Sequence, residues 1–363
     1  MSTTTKHLVV LGAGTAGTMV VNKLRKRLPA TEWSITVVDK DDIHDYQPGY
    51  LFIPFRMNKP GQIRKSKRPY LHDDVEVVMA EVERVDAPAS TVHLVGGRTL
   101  HYDQLVIASG TTPRPDQTPG MLGEQWHREV GEFYTFEGAV ALRAQLDAFT
   151  GGRLVMHITE LPIKCPVAPL EFVMLADDFL TKKGVRAATE IVYVTPLDGA
   201  FTKPVASREL GHHLSTRNIK VEPDFMIESV DQEAKVIRSY DEREVPYDQL
   251  VTVPLNMGAD FVAASGLGDE LNYVPVDKHT CRSTQYDDIW ALGDASNIPT
   301  SKAGSVAHFS VDVFVENFQD AVAGRPLSHS FDGHANCFIE SGGGKALLLD
   351  FNYETEPMGG TFP

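Results

Sequence analysis

The chain has 363 residues, 42% apolar and 23% charged, the balance of a globular protein large enough for two ordinary domains. Its formal charge of −15 argues against nucleic acid as a partner, because phosphate contacts need a basic surface. Three cysteines are too few for a disulfide-stapled secreted scaffold, and no apolar run approaches the roughly 18–20 residues of a membrane-spanning helix.

His7 to Val21 has the apolar character of a signal peptide core. Three spaced glycines, a basic start limited to Lys6 and the lack of a small-residue cleavage site count against that reading. Strand, tight turn and helix fit better. Leu8 to Leu11 is a short aliphatic run, expected as a strand buried on both faces. Gly12-Ala13-Gly14-Thr15-Ala16-Gly17 follows, and Thr18 to Leu28 reads as a helix. Gly12 suits the tight turn, Gly14 the close approach of a pyrophosphate, and Gly17 close packing of helix on strand. The helix N-terminus supplies unpaired N–H groups for phosphate oxygens, and Thr15 and Ala16 in the turn are further candidate contacts. A glycine turn also occurs in plain α/β domains. Here a second strand, Ile35 to Val38, ends in Asp39, close to the roughly 20-residue spacing expected of a ribose-binding acid. A dinucleotide site is therefore expected; Lys40, Gln47 and Val82 are further candidate cofactor contacts that this spacing does not itself derive.

Arg56, Lys59, Arg64, Lys65, Lys67 and Arg68 form a basic cluster, read either as a contact for anionic lipid or as a solvated face. Tyr102 to Ile107 is a strand entering the small-residue turn Ala108-Ser109-Gly110. Tyr102-Asp103-Gln104-Leu105-Val106 recurs as Tyr247-Asp248-Gln249-Leu250-Val251, and Val85-Asp86 recurs as Val230-Asp231 at the same offset of 145. Two homologous α/β units follow from that repeat. The expected division is 1–112 with 280–330 as one domain, 113–279 as the second, and 331–363 as a C-terminal segment.

The second unit starts with a strand over Arg153 to Ile158, but its turn reads Thr159-Glu160-Leu161-Pro162-Ile163-Lys164-Cys165-Pro166. No glycine permits close approach of a pyrophosphate there, and prolines remove N–H donors. The next strand, Ile191 to Val194, ends in Thr195-Pro196 without a ribose acid, so no pyridine nucleotide site is expected. Cys165 stands in that place. It lies just before Pro169-Leu170-Glu171-Phe172, where a helix running to about Lys183 is expected, and a helix N-terminus favours thiolate. A buried structural cysteine is the alternative. Cys281 reads as structural. His212, His213 and His334 read as surface or packing residues, and no Cys/His spacing suits a metal.

Ile289-Trp290-Ala291-Leu292-Gly293-Asp294 is a late strand ending in Gly-Asp. With the glycine turn and the 102–110 segment it resembles the signatures of the two-dinucleotide-domain flavoproteins, an α/β class with tandem Rossmann-like domains. That resemblance implies FAD, with Asp294 at the ribityl chain. The chain as a whole resembles the sulfide:quinone oxidoreductase family, with its flavocytochrome c sulfide dehydrogenase relatives. The likeness rests on the fingerprint, His44-Asp45-Tyr46-Gln47-Pro48-Gly49, Lys164 to Glu171, Gly293-Asp294, Ser301-Lys302-Ala303-Gly304-Ser305 and Asn336-Cys337-Phe338-Ile339-Glu340.

The resemblance implies that Cys165 and Cys337 are a redox pair facing the flavin, and that electrons from sulfide pass through FAD to a quinone. It further implies a carboxylate base at Glu171, for which an exposed first-turn residue is the alternative. Lys302 then lies beside the flavin or quinone, or is an ordinary surface lysine. A cytochrome acceptor, a non-catalytic FAD-binding redox sensor and a type II NADH:quinone oxidoreductase are the rival readings, the last fitting poorly without a second glycine turn. Quinone-reducing members usually continue into amphipathic C-terminal helices, whereas this sequence stops at Gly359 to Pro363. Peripheral membrane or cytoplasmic placement and homo-oligomerisation are left open.

Overall fold

The computed structural model describes residues 5–358. Two five-stranded parallel sheets organise it. The first runs Ile289–Ala291, Gln104–Ile107, Lys6–Leu11, Trp33–Asp39, Glu76–Met79. The second runs Val130–Gly131, Gln249–Val253, Gly152–Ile158, Thr189–Val194, Ile219–Glu222. The aliphatic runs expected as strands lie at their centres, with Leu8, Val9 and Val10 wholly buried, as parallel strands covered on both faces require.

The first helix is Thr15–Arg25, three residues earlier at each end than the pattern suggested. It starts inside the glycine turn because Thr18 N–H reaches back to Gly14 O (3.0 Å). Pro29 bars its continuation through Leu28. It packs against the long helix Gly304–Val322, which also buries Phe314 and Phe318 under Trp290.

The internal repeat is structural. Antiparallel strands Val82–Asp86, Thr91–Leu94 and Thr99–His101 recur, shifted by 145 residues, as Ile227–Asp231, Val236–Ser239 and Glu244–Pro246. Even the register shift after Val82 recurs after Ile227. Asp103 and Asp248 each accept a backbone N–H from the neighbouring first strand, at His7 and Arg153. The two units exchange chain where Thr112–Arg114 pairs antiparallel with Leu255–Met257. The return to the first unit begins before residue 280, because Asp260–Ala264 already packs on Val82–Asp86 and Ser265 accepts the Val85 N–H (2.7 Å). A C-terminal hairpin, Ala335–Gly342 with Lys345–Phe351, lies on the helix Ala168–Lys183.

Candidate functional site

The first sheet's carboxyl ends carry a crevice built by the glycine turn. Gly12 has φ +102°, and a Cβ there would lie 2.4 Å from Ala108 O. A Cβ on Gly17 would lie 1.8 Å from Gly12 O, so only glycine lets helix and strand meet. Gly14 differs: its Cβ would meet nothing within 4 Å, because that side opens to the crevice. Thr15, Ala16 and Gly17 start the helix with N–H groups that have no partner within it. At the end of the second strand, Asp39 Oδ2 accepts the Ala13 N–H (2.7 Å). The Ser109 hydroxyl is buried without a protein partner, and Gly110 follows it with φ +71°. Lys40 is exposed and Val82 half-buried. Free backbone donors, a glycine with open space beside it and a carboxylate at the end of the second strand are the features a dinucleotide's phosphates and ribose require.

At the other end, Asp294 sits where burial pushes its carboxyl up, opposed by the Lys302 and Lys164 ammonium groups. Lys302 is 7% exposed, so it is not a surface lysine. Its Nζ donates to the carbonyls of Asp294 (3.0 Å) and Ser296 (2.8 Å) and lies over the Tyr273 ring. Burial brings its amine down to about 8. Asp294 thus stands with a buried cation beside it, just beyond the strand Ile289–Ala291.

Cys165 joins the two units. Its N–H donates to Lys302 O (2.7 Å), beside the parallel bridge between Lys164 and Lys302. Its φ of +50° is unusual for a residue with a Cβ, and Tyr134 Oη anchors its carbonyl (3.2 Å). Lys164 reaches from the same turn to Gln47 Oε1 (3.0 Å), while its N–H donates to buried Asn256 (3.2 Å). This packing ties the turn after the strand Gly152–Ile158 to the first unit.

The helix over Ala168–Lys183 brings Glu171 to the hairpin strand that carries Cys337, and Glu171 Oε1 accepts the Glu340 N–H (2.9 Å). Glu171 is 5% exposed, which removes the exposed first-turn reading. Burial pushes it up to about 7, against the pull of that backbone donor. Both thiols feel the Glu171 carboxylate, and Cys165 also feels Cys337. The two cysteines, 172 positions apart in sequence, thus meet around one carboxyl group. Burial pushes Cys337 up to about 12 and Cys165 well above the usual thiol range. The expected thiolate bias at the helix start is reversed: the Ala168 N–H does lower Cys165, but desolvation and Glu171 outweigh it. Cys281 is wholly buried in the core.

The basic cluster is largely committed within the protein. Arg64 holds Asp45 through two hydrogen bonds (2.9 and 2.8 Å), Arg56 pairs with Asp147, and Lys67 is 6% exposed. His334 bonds Asp350 and stacks on Phe309, a packing role. Lys164, Tyr134 and Asn256 were not singled out from sequence. Adjacency to Cys165 pointed to the first; nothing local pointed to the others. Among the described residues no group of three His, Cys, Asp or Glu could hold a metal, and no helix is long and apolar enough to cross a membrane.

Residues 6–156 match the family model described as pyridine nucleotide-disulphide oxidoreductase. The mitochondrial sulfide:quinone oxidoreductase of Schizosaccharomyces pombe is 25% identical, over 98% of this chain and 83% of its own length. The mouse mitochondrial sulfide:quinone oxidoreductase is 22% identical, over 98% and 80%. The X-ray structure of the sulfide:quinone oxidoreductase from Aquifex aeolicus superposes with a TM-score of 0.81 at 19% identity, covering 95% of this chain and 87% of that one. The fold is therefore that of the two-domain FAD flavoproteins, and the chain is similar to sulfide:quinone oxidoreductases over nearly its full length.

Proposed function

We propose that this chain oxidises sulfide with FAD as cofactor and a quinone as acceptor, using Cys165 and Cys337 as its redox pair. The observation that carries this is the convergence of two distant cysteines on Glu171, in a turn bonded to the lysine behind Asp294. The likeness to sulfide:quinone oxidoreductases over nearly the whole chain supports the choice of sulfide and quinone.

Hydrosulfide attacks one sulfur of a Cys165–Cys337 disulfide. One S–S bond breaks and another forms, leaving a persulfide on one cysteine and a thiolate on the other. Glu171, whose charge acts on both thiols, takes the persulfide proton, and the Glu340 N–H steadies the carboxylate that does so. FAD, when bound, supplies the two-electron acceptor that hands the electrons to quinone. The positive φ at Cys165 and the Tyr134 hydrogen bond to its carbonyl hold the backbone that carries this sulfur.

Glu171 is the proton acceptor only when ionised, so flux should rise with pH through about 7 and level off above it. Hydrosulfide ionises in the same region, and the comparison with Glu171→Gln separates the two. The variant should lose one limb of the profile and fall about 100-fold at pH 8, the scale of general-base catalysis. Superimposable profiles would remove Glu171 from the mechanism.

The turn Thr159 to Pro166 offers no glycine and is packed onto Lys302, so NADH should reduce the flavin no faster than a non-specific reductant. Anaerobic stopped-flow mixing checks this. Stoichiometric reduction within milliseconds at micromolar NADH would contradict it.

A further inference from the structure

Asp39 is held by two donors at once. Ala13 N–H takes Oδ2 (2.7 Å), and the Lys67 ammonium takes Oδ1 (2.8 Å). Lys67 comes from outside the nucleotide fold, from the segment after the short strand Arg64–Ser66, and its side chain is only 7% exposed. The segment is tied down: Lys67 N–H donates to Asp42, and Nζ also bonds the Asp41 carbonyl (2.9 Å) and carboxylate (3.2 Å). A carboxylate has about four lone-pair positions, and two of those on Asp39 are taken. One position on each oxygen remains. That is the pattern a vicinal diol satisfies with two O–H donors.

We propose that Lys67 is the positioning residue for the adenosine ribose of FAD, fixing the Asp39 carboxylate so that both oxygens present a free lone pair to the ribose hydroxyls. The role depends on the FAD crevice and not on sulfide chemistry, so either can fail alone. A buried ion pair that loses one member leaves an uncompensated charge, and without Lys67 the Asp39 carboxylate keeps only the Ala13 N–H to fix its orientation. Lys67 acts here through Asp39, and a mere scaffold lysine would not.

The test is FAD release from the holoenzyme on dilution, followed by the rise in flavin fluorescence, with circular dichroism to check folding. Lys67→Met should release FAD about tenfold faster or be recovered folded and flavin-free, and Lys67→Arg should stay within about threefold of the parent. In an Asp39→Asn background, Lys67→Met should change the rate less than about twofold, because its target is gone. Lys67→Met that fails to fold alone but folds with Asp39→Asn would make the ion pair a folding device and overturn the proposal. An unchanged release rate in Lys67→Met would overturn the proposal. So would an equal acceleration in both backgrounds, or misfolding in both.

Discussion

Cys165→Ser and Cys337→Ser should each cut sulfide-driven quinone reduction by on the order of 10³-fold or more, with FAD still bound. The magnitude is that of deleting a covalent participant, because without either sulfur no disulfide exists for hydrosulfide to open. FAD should stay because neither side chain belongs to the proposed ADP cradle of Gly12 to Gly17, Asp39 and the Ala108 turn. Serine keeps the volume and the backbone donor of Cys165 to Lys302, so the two units should stay joined. Cys281→Ser is the control. That thiol is wholly buried away from Glu171, so the substitution should cost about 1–3 kcal/mol of stability through a buried hydroxyl while most activity survives. The rates of the three variants decide it. Near-parental rates in either of the first two would end the redox-pair assignment, and loss confined to Cys281→Ser would move the chemistry elsewhere.

The glycines of the first turn should separate folding from cofactor binding. Gly17→Ala places a methyl 1.8 Å from a backbone carbonyl that has no room to move, since the strand behind it is central in its sheet. Such overpacking costs about 1–3 kcal/mol or more, and the variant should unfold at lower temperature and lose flavin. Gly14→Ala meets no protein atom within 4 Å. It should keep its melting temperature as apoprotein and yet bind FAD about 10- to 100-fold more weakly, because the methyl enters the space left for the pyrophosphate. Thermal melts with and without added FAD distinguish the pair. Equal loss of apoprotein stability in both would mean that the open side of Gly14 is not the phosphate side.

Features with a local cause were legible in the sequence. The run Leu8 to Leu11 became the central strand of the first sheet because no polar residue interrupts it, and the glycine turn announced itself through spacing to Asp39. The 145-residue repeat was visible only as two short identities, yet it marks whole three-stranded meanders. Side-chain environment was much less legible. Glu171 sits in a first helical turn, where an exposed acid is equally reasonable. It is buried because a hairpin more than 160 residues later covers it. The same cover reverses the expected thiolate preference of Cys165, since the helix N-terminus is a smaller effect than loss of solvent. Lys67 read as part of a solvated basic face, and its burial was not legible because its partner Asp39 becomes a neighbour only in the folded chain.

The most direct test is anaerobic titration of the purified holoenzyme with sulfide, following flavin absorbance, then addition of a soluble short-chain quinone. The account predicts bleaching at near-stoichiometric sulfide, full recovery with quinone, and no bleaching in Cys165→Ser or Cys337→Ser at the same sulfide concentrations. A flavin that stays oxidised with sulfide but bleaches with NADH would contradict it.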